Sequence, residues 1–266
     1  MRSLSNRHHP LVATCRALVR GRSDGGDRML LDGLHLVEDA VGAGITLETV
    51  AFTARVLSTA EGAHLAETLS GASLEVVEVS GSMMAAMSPV PSPSGVVAIA
   101  TRPASSISKT LAVAPQLVLL AVDVQDPGNV GAIVRASEAG GATGVAFCGA
   151  SADPFGWKAL RGSMGSALRL PTVAGVSLDC ALAAARERHL RVVATLPRGG
   201  ARPETIDLRQ PTALLFGGEG PGLPDAVLDS ADARVSIPMQ APVESLNIAV
   251  AAALLVYEAA SQRGSI

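Results

Sequence analysis

Three stretches of this 266-residue chain hold side chains that can do chemistry. In DPGNVGAIVRASEAGGA, starting at Asp126, an amide (Asn129) and a permanent cation (Arg135) sit at the start of an apparent helix. Either Asp126 or Asn129 can cap that helix, and Gly140-Gly141 can end it. Arg135 can also pair with Glu138, three residues on, at a solvated face. In FGGEGPGLP, the residues Gly217, Gly218, Glu219, Gly220 and Gly222 leave little side chain to pack. Their use is close backbone approach to a ligand or to another loop. The cluster lacks both the GxxxxGK[ST] form of a phosphate loop and the GxGxxG spacing of a dinucleotide site, which disfavours a nucleoside triphosphate. In SIPMQAPVESLNIAVAAALLVYEA, Ser245 is a reasonable N-cap for a helix that is apolar on almost every face from Ile248 to Tyr257. Such a helix has to be enclosed rather than lie on the surface, and its alanines and valines permit close backbone approach by a neighbouring element or a second subunit.

The elements that must position these residues are legible as apolar runs. Strands are expected near 117–122, 144–148, 171–176, 191–195, 212–216 and 233–237, separated by helices or Gly-rich loops. Strands alternating with helical segments imply a parallel sheet covered on both faces, with ligands at the carboxyl ends of its strands. Residues 10 to about 100 alternate short helices with short strands, as a small α/β layer structure would. The fold class is therefore α/β, with the domains expected at 1–100 and 117–266 and a proline-flanked, aperiodic linker at 101–116.

Bulk composition narrows the function class. A chain with 48% apolar residues can bury a substantial core, but no apolar run reaches the roughly 18 to 20 residues that span a bilayer. The N-terminus shows no apolar export segment, so a cytoplasmic protein is expected. Cys15, Cys148 and Cys180 are odd in number and have no CxxC spacing, which argues against disulfides and a zinc site. They read as small buried hydrophobes, and no metal is expected. The net charge of −3 is unevenly distributed, since residues 1–30 hold six arginines against two aspartates. One Trp, one Tyr and four Phe are too few for an aromatic platform on which bases stack, so any nucleic acid would be held by its shape and backbone.

Together, DPGNVGAIVRAS, LLFGGEGPGLP and SIPMQAPVESLNIAVAAALLVYEA, with RGSMGSALRLP between the first two, resemble the SpoU (TrmH) branch of the knotted SPOUT RNA methyltransferases. The resemblance covers roughly residues 117–262. More weakly, SNRHHPLVATCRAL, MLLDGLHLVEDAVGAG and SPSGVVAIA resemble the substrate-binding domain that many of these enzymes carry, related in fold to ribosomal RNA-binding proteins. Asp32 stands where that family more often has glutamate. The likeness implies a deep trefoil knot, a homodimer, and S-adenosylmethionine as cofactor. It also implies ribose 2′-O-methylation of RNA, with 23S rRNA the first expectation. A tRNA ribose methyltransferase and a non-catalytic ribosome-assembly factor are the alternatives. Arg135, Asn129, Glu219, Ser245 and Asn247 match the family's active-site positions, and Leu196, Gly217, Gly218, Ile237, Met239 and Leu246 match its cofactor contacts, largely backbone groups. Arg7, Arg16, Arg20 and Arg28, with Lys158 and Arg161 expected near the catalytic crevice, are the candidate phosphate contacts.

Overall fold

The computed structural model describes residues 1–21, 27–71, 74–114, 116–218 and 222–266. They divide into two units, Met1–Pro103 with Phe155–Arg161, and Ala104–Pro154 with Gly162–Ile266.

The first unit runs β1 (Arg2–Leu4), α1 (Pro10–Val19), β2 (Arg28–Asp32), α2 (Leu34–Gly42), β3 (Leu47–Phe52), α3 (Ala54–Leu57), α4 (Ala60–Leu69), β4 (Glu75–Val79), α5 (Gly81–Met87) and β5 (Val96–Thr101). Its strands form one mixed sheet in the order β1-β4-β3-β5-β2, in which β5 is antiparallel to both of its neighbours. Several of these helix starts carry a side-chain cap. Thr59 and Ser80 accept the N–H of Gly62 and Met83, respectively, and so cap α4 and α5. One core cluster joins Cys15 of α1, Met83, Met84 and Met87 of α5, and Leu30, Ala51, Val77 and Ile99 from the sheet. Strand β1 was not foreseen. It is short and mostly exposed, and pairs along β4 with Arg2 bonded to Glu75 at 2.8 Å, so no buried face marks it in the sequence.

The second unit continues with α6 (Ile107–Thr110), β6 (Leu117–Val122), α7 (Pro127–Ala139), β7 (Gly144–Cys148), α8 (Trp157–Ser163, whose residues to Arg161 group with the first unit), α9 (Ser166–Arg169), β8 (Thr172–Val176), α10 (Leu178–Glu187), β9 (Arg191–Thr195), β10 (Thr212–Phe216), α11 (Asp225–Asp229), β11 (Ala233–Val235) and α12 (Ile248–Gln262). Its six strands are all parallel, in the order β11-β9-β10-β6-β7-β8. Every residue of β6, β7 and β10 is buried, which is why these segments read as unbroken apolar runs instead of alternating ones. The stretch 101–116 carries α6, and Leu111 just after it is fully buried in the second unit's core. Among the described residues no helix is long and apolar enough to cross a membrane.

Two sequence expectations are corrected here. Cys15 and Cys148 are buried, and burial pushes their thiols up to about 12 and about 11 respectively, but Cys180 is exposed on the first turn of α10. Helix α12 is not enclosed on all sides within the chain. Ala252, Val256 and Ala259 are fully buried, whereas Val250, Leu254 and Tyr257 keep 48%, 48% and 45% of their surface exposed along one stripe. The helix's far end is anchored instead by Arg263, whose guanidinium donates to the carbonyls of Leu208, Gln116 and Gln210 at 2.8, 3.0 and 2.8 Å.

In α7 the buried Ser137 hydroxyl has no hydrogen-bond partner among the described residues. A buried hydroxyl left unpaired costs desolvation without return, and alanine is the better helix former. The Ser137→Ala variant should therefore gain about 1 kcal/mol in urea unfolding; a loss of that size would show that the hydroxyl has a partner in solution.

Candidate active site

Parallel pairing sets the carboxyl ends of the strands side by side. Phe216 of β10 lies opposite Ala121 of β6, Leu215 opposite Ala194 of β9, and Val235 of β11 opposite Thr195. The segments that follow these strands enclose a cavity of about 550 Å³ lined by Leu196, Gly217, Gly218, Ile237, Met239, Ser245, Leu246 and Asn247, among others. All six residues expected to contact a cofactor are thus in one wall, joined by two of the five expected catalytic residues.

The cavity is of a size suited to a nucleoside-sized ligand. Leu196, Ile237, Leu246 and Ile248 make part of its lining apolar, and Gly217 and Gly218 line it without side chains. The glycines are needed for a different reason. A Cβ on Gly218 would stand 2.5 Å from the carbonyl oxygen of Asp123 and 2.8 Å from that of Val122. One on Gly217 would stand 2.5 Å from the carbonyl carbon of Gly222. Of the two uses left open by the sequence, loop against loop is what the contacts show. Asp123 itself has a positive φ of 54° and is held there by the Ala150 N–H, which donates to its carboxylate at 2.7 Å.

The capping alternatives resolve in a way that releases Asn129 and Ser245 from capping. Asp126 caps α7, its carboxylate accepting the N–H of Gly128 at 2.6 Å and of Asn129 at 3.0 Å, with Pro127 in the first turn. The Asn129 side chain is therefore not the cap. Its oxygen accepts a hydrogen bond of 3.0 Å from the Asn247 amide. Asn247, and not Ser245, caps α12: its own side-chain oxygen accepts the N–H of Ala249 at 2.9 Å and of Val250 at 3.3 Å. Sequence reasoning placed the cap two residues early because Ser and Asn serve equally well there. One asparagine thus fixes the start of α12 and joins the first motif to the third.

Arg135 is exposed on α7 and is not among the residues lining the cavity. It does not pair with Glu138, whose carboxylate is held bidentately by Arg169 at 2.8 and 2.9 Å. Burial alone would raise the Glu138 carboxyl, but hydrogen bonds from Arg169 and Ser166, with the charge of Arg169, hold it below its ordinary value. The Arg135 guanidinium stays outside that pair. Glu219 lies outside the described residues.

All six candidate phosphate contacts belong to the first unit, Lys158 and Arg161 included. Arg7, Arg20, Lys158 and Arg161 are exposed, Lys158 lying 5.5 Å from the centre of the Trp157 ring. Arg16 and Arg28 also have structural partners. Arg16 donates to the Ala86 carbonyl at 3.1 Å, and Arg28 stands 3.6 Å from Glu48. Asp32, next to the glycine that opens α2, is raised by burial, while the Ser88 hydroxyl and the charge of Arg161 pull the other way.

Comparison with known proteins agrees with this geometry. Residues 116–257 match the SpoU rRNA Methylase family, and residues 20–98 match the MRM3-like substrate binding domain. The chain belongs to the SpoU family. A tRNA/rRNA methyltransferase of Synechocystis is 35% identical over 98% of this chain and 94% of its own length. The 23S rRNA (guanosine(2553)-2′-O)-methyltransferase RlmP of Bacillus subtilis is 31% identical over 86% of each chain. Among solved structures, an AdoMet-bound rRNA methyltransferase from Sinorhizobium meliloti superposes with a TM-score of 0.86 at 28% identity, covering 97% of both chains.

Sequence reasoning missed Thr195, Pro197, Leu223, Asp225 and Leu228 in the lining of this SpoU cavity. It also missed Arg198, whose guanidinium donates to the Val243 carbonyl at 3.3 Å and so ties the segment after β9 to the third motif. The only available signal was position, since each stands at or after the carboxyl end of a strand.

Proposed function

We propose that this protein transfers a methyl group from S-adenosylmethionine to a ribose 2′-hydroxyl of 23S rRNA in the cytoplasm. The observation that carries the reading is the cavity at the carboxyl ends of β9, β10 and β11, where the second and third motifs meet and the Asn247–Asn129 bond brings in the first.

Bound S-adenosylmethionine supplies a methyl already activated on a sulfonium. What remains for the chain is to orient the ribose and to stabilise charge on its oxygen. A 2′-hydroxyl is a very weak acid, so the developing alkoxide needs a cation beside it. Arg135 is suited to this, being exposed to incoming RNA and free of the Glu138 pair. A guanidinium keeps its protons, so its role is electrostatic, with the fork available to a neighbouring phosphate. Asn129 and Asn247 order the start of α7 and of α12 against each other, and Ser245 offers a hydroxyl at the cavity wall. The first unit, with its exposed Arg7, Arg20, Lys158 and Arg161, holds the RNA by its phosphates.

The relation to RlmP favours rRNA as substrate and the 2′-oxygen as target. The reading is tested by incubating the protein with methyl-labelled S-adenosylmethionine and unmodified rRNA, then hydrolysing in alkali. A 2′-O-methyl group blocks cleavage at its own nucleotide, so label should appear in an alkali-resistant dinucleotide. Label in mononucleotides would mean base methylation and sink the proposal.

The knot that the resemblance implies is supported by close backbone approach between the segment after β9 and β11. Residues 196–201 run beside 234–236, with Leu196 N–H donating to Val235, Ala201 N–H to Arg234 and Ser236 N–H to Ala201, each at 2.9 Å. A homodimer is supported by the exposed Val250, Leu254 and Tyr257 stripe on α12, an apolar face that water does not favour. Sedimentation should show a dimer that Leu254→Glu converts to monomer; a monomeric native chain removes this part of the proposal.

A further inference from the structure

Among the described residues that line the cavity, Asp225 is the one with an ionisable side chain. It opens the short helix α11, is exposed, and stands at the cavity together with Leu223 and Leu228 from the same stretch. The remaining described lining is apolar, glycine, or neutral polar such as Thr195, Ser245 and Asn247. The positive end of α12, whose first-turn N–H groups are already taken by Asn247, also borders the cavity. The nearest compensating full charge in the lining is the Asp225 carboxylate.

A field of this sign separates ligands by net charge. S-adenosylmethionine carries a sulfonium and an ammonium against one carboxylate, a net +1. Its demethylated product S-adenosylhomocysteine has lost the sulfonium and is neutral overall. We propose that Asp225 is a specificity-determining residue, which makes the cavity negative and so favours the cationic methyl donor over the neutral product. The inference rests on the cofactor reading above, and it supplies something that reading lacks. The apolar walls and the backbone groups grip adenosine equally well in both ligands, whereas only a charge can tell a sulfonium from a thioether. Product release after transfer would follow from the same physics, since the ligand loses its attraction to Asp225 when the methyl leaves.

As a first-turn acidic residue Asp225 could also serve α11 alone, and the two roles predict different things. The test is calorimetric binding of three ligands to the full chain: S-adenosylmethionine, S-adenosylhomocysteine, and sinefungin, which carries an ammonium where the sulfonium stands. In Asp225→Asn the Kd for S-adenosylmethionine and for sinefungin should rise about three- to tenfold, with S-adenosylhomocysteine shifted less than about twofold. The difference should narrow in high salt, because the residue is exposed. Asp225→Glu, which keeps the charge, should keep the preference. Equal losses for all three ligands, or no loss for any, would overturn the inference and leave the cofactor reading standing. Failure of the native chain to bind any of the three would overturn the cofactor reading itself.

Discussion

Arg135→Lys should lower methyl transfer about 10²- to 10³-fold while leaving the Kd for S-adenosylmethionine within about twofold of the native value. The separation follows from where Arg135 sits: on the exposed face of α7, outside the cavity lining, with Glu138 already engaged by Arg169. Lysine keeps a positive charge but not the planar pair of donors that can hold a phosphate and an oxyanion at once. Single-turnover transfer measured beside calorimetric cofactor binding separates the two effects. Near-native turnover in Arg135→Lys would defeat the catalytic assignment, and a parallel collapse of cofactor binding would make Arg135 a structural residue.

The second large effect is on the opposite quantity. Gly218→Ala puts a methyl where the Asp123 and Val122 carbonyl oxygens lie 2.5 and 2.8 Å away, and backbone on both sides cannot yield cheaply. Overpacking of this kind costs about 1–3 kcal/mol, and the part that displaces the cavity wall appears as lost affinity. Cofactor binding should weaken about tenfold or more, with the melting temperature lowered by only a few degrees. An unchanged Kd would show that the 217–218 turn does not shape the cavity. Global unfolding is excluded if far-ultraviolet circular dichroism and the first unit's proteolytic resistance are retained.

The capping residues show how much of the site was legible in the chain and where legibility stopped. Asp126 and Asn129 both match a helix start, and the choice between them depends on which oxygen reaches the N–H groups of Gly128 and Asn129. At α12 Ser245 was the expected cap, but the helix begins at Ile248 and Asn247 takes that place. Arg135 and Glu138 are correctly spaced for an ion pair, yet Arg169, distant in sequence, takes the carboxylate. Local spacing states what is possible, and distant residues then compete for the same partner.

What the sequence determined by itself is the second unit's parallel sheet and the composition of its loops. Strands β6, β7 and β10 of that sheet are buried on both faces, so each is a run of mostly apolar residues that needs no knowledge of its neighbours to recognise. The motifs that follow those strands were equally plain. The tertiary structure alone decided which loops touch. It set Gly218 against Asp123, joined Asn247 to Asn129, brought Asp225 to the cavity, and left one stripe of α12 in the open. Those outcomes depend on pairings between residues up to 118 positions apart in the chain, which periodicity and spacing do not encode.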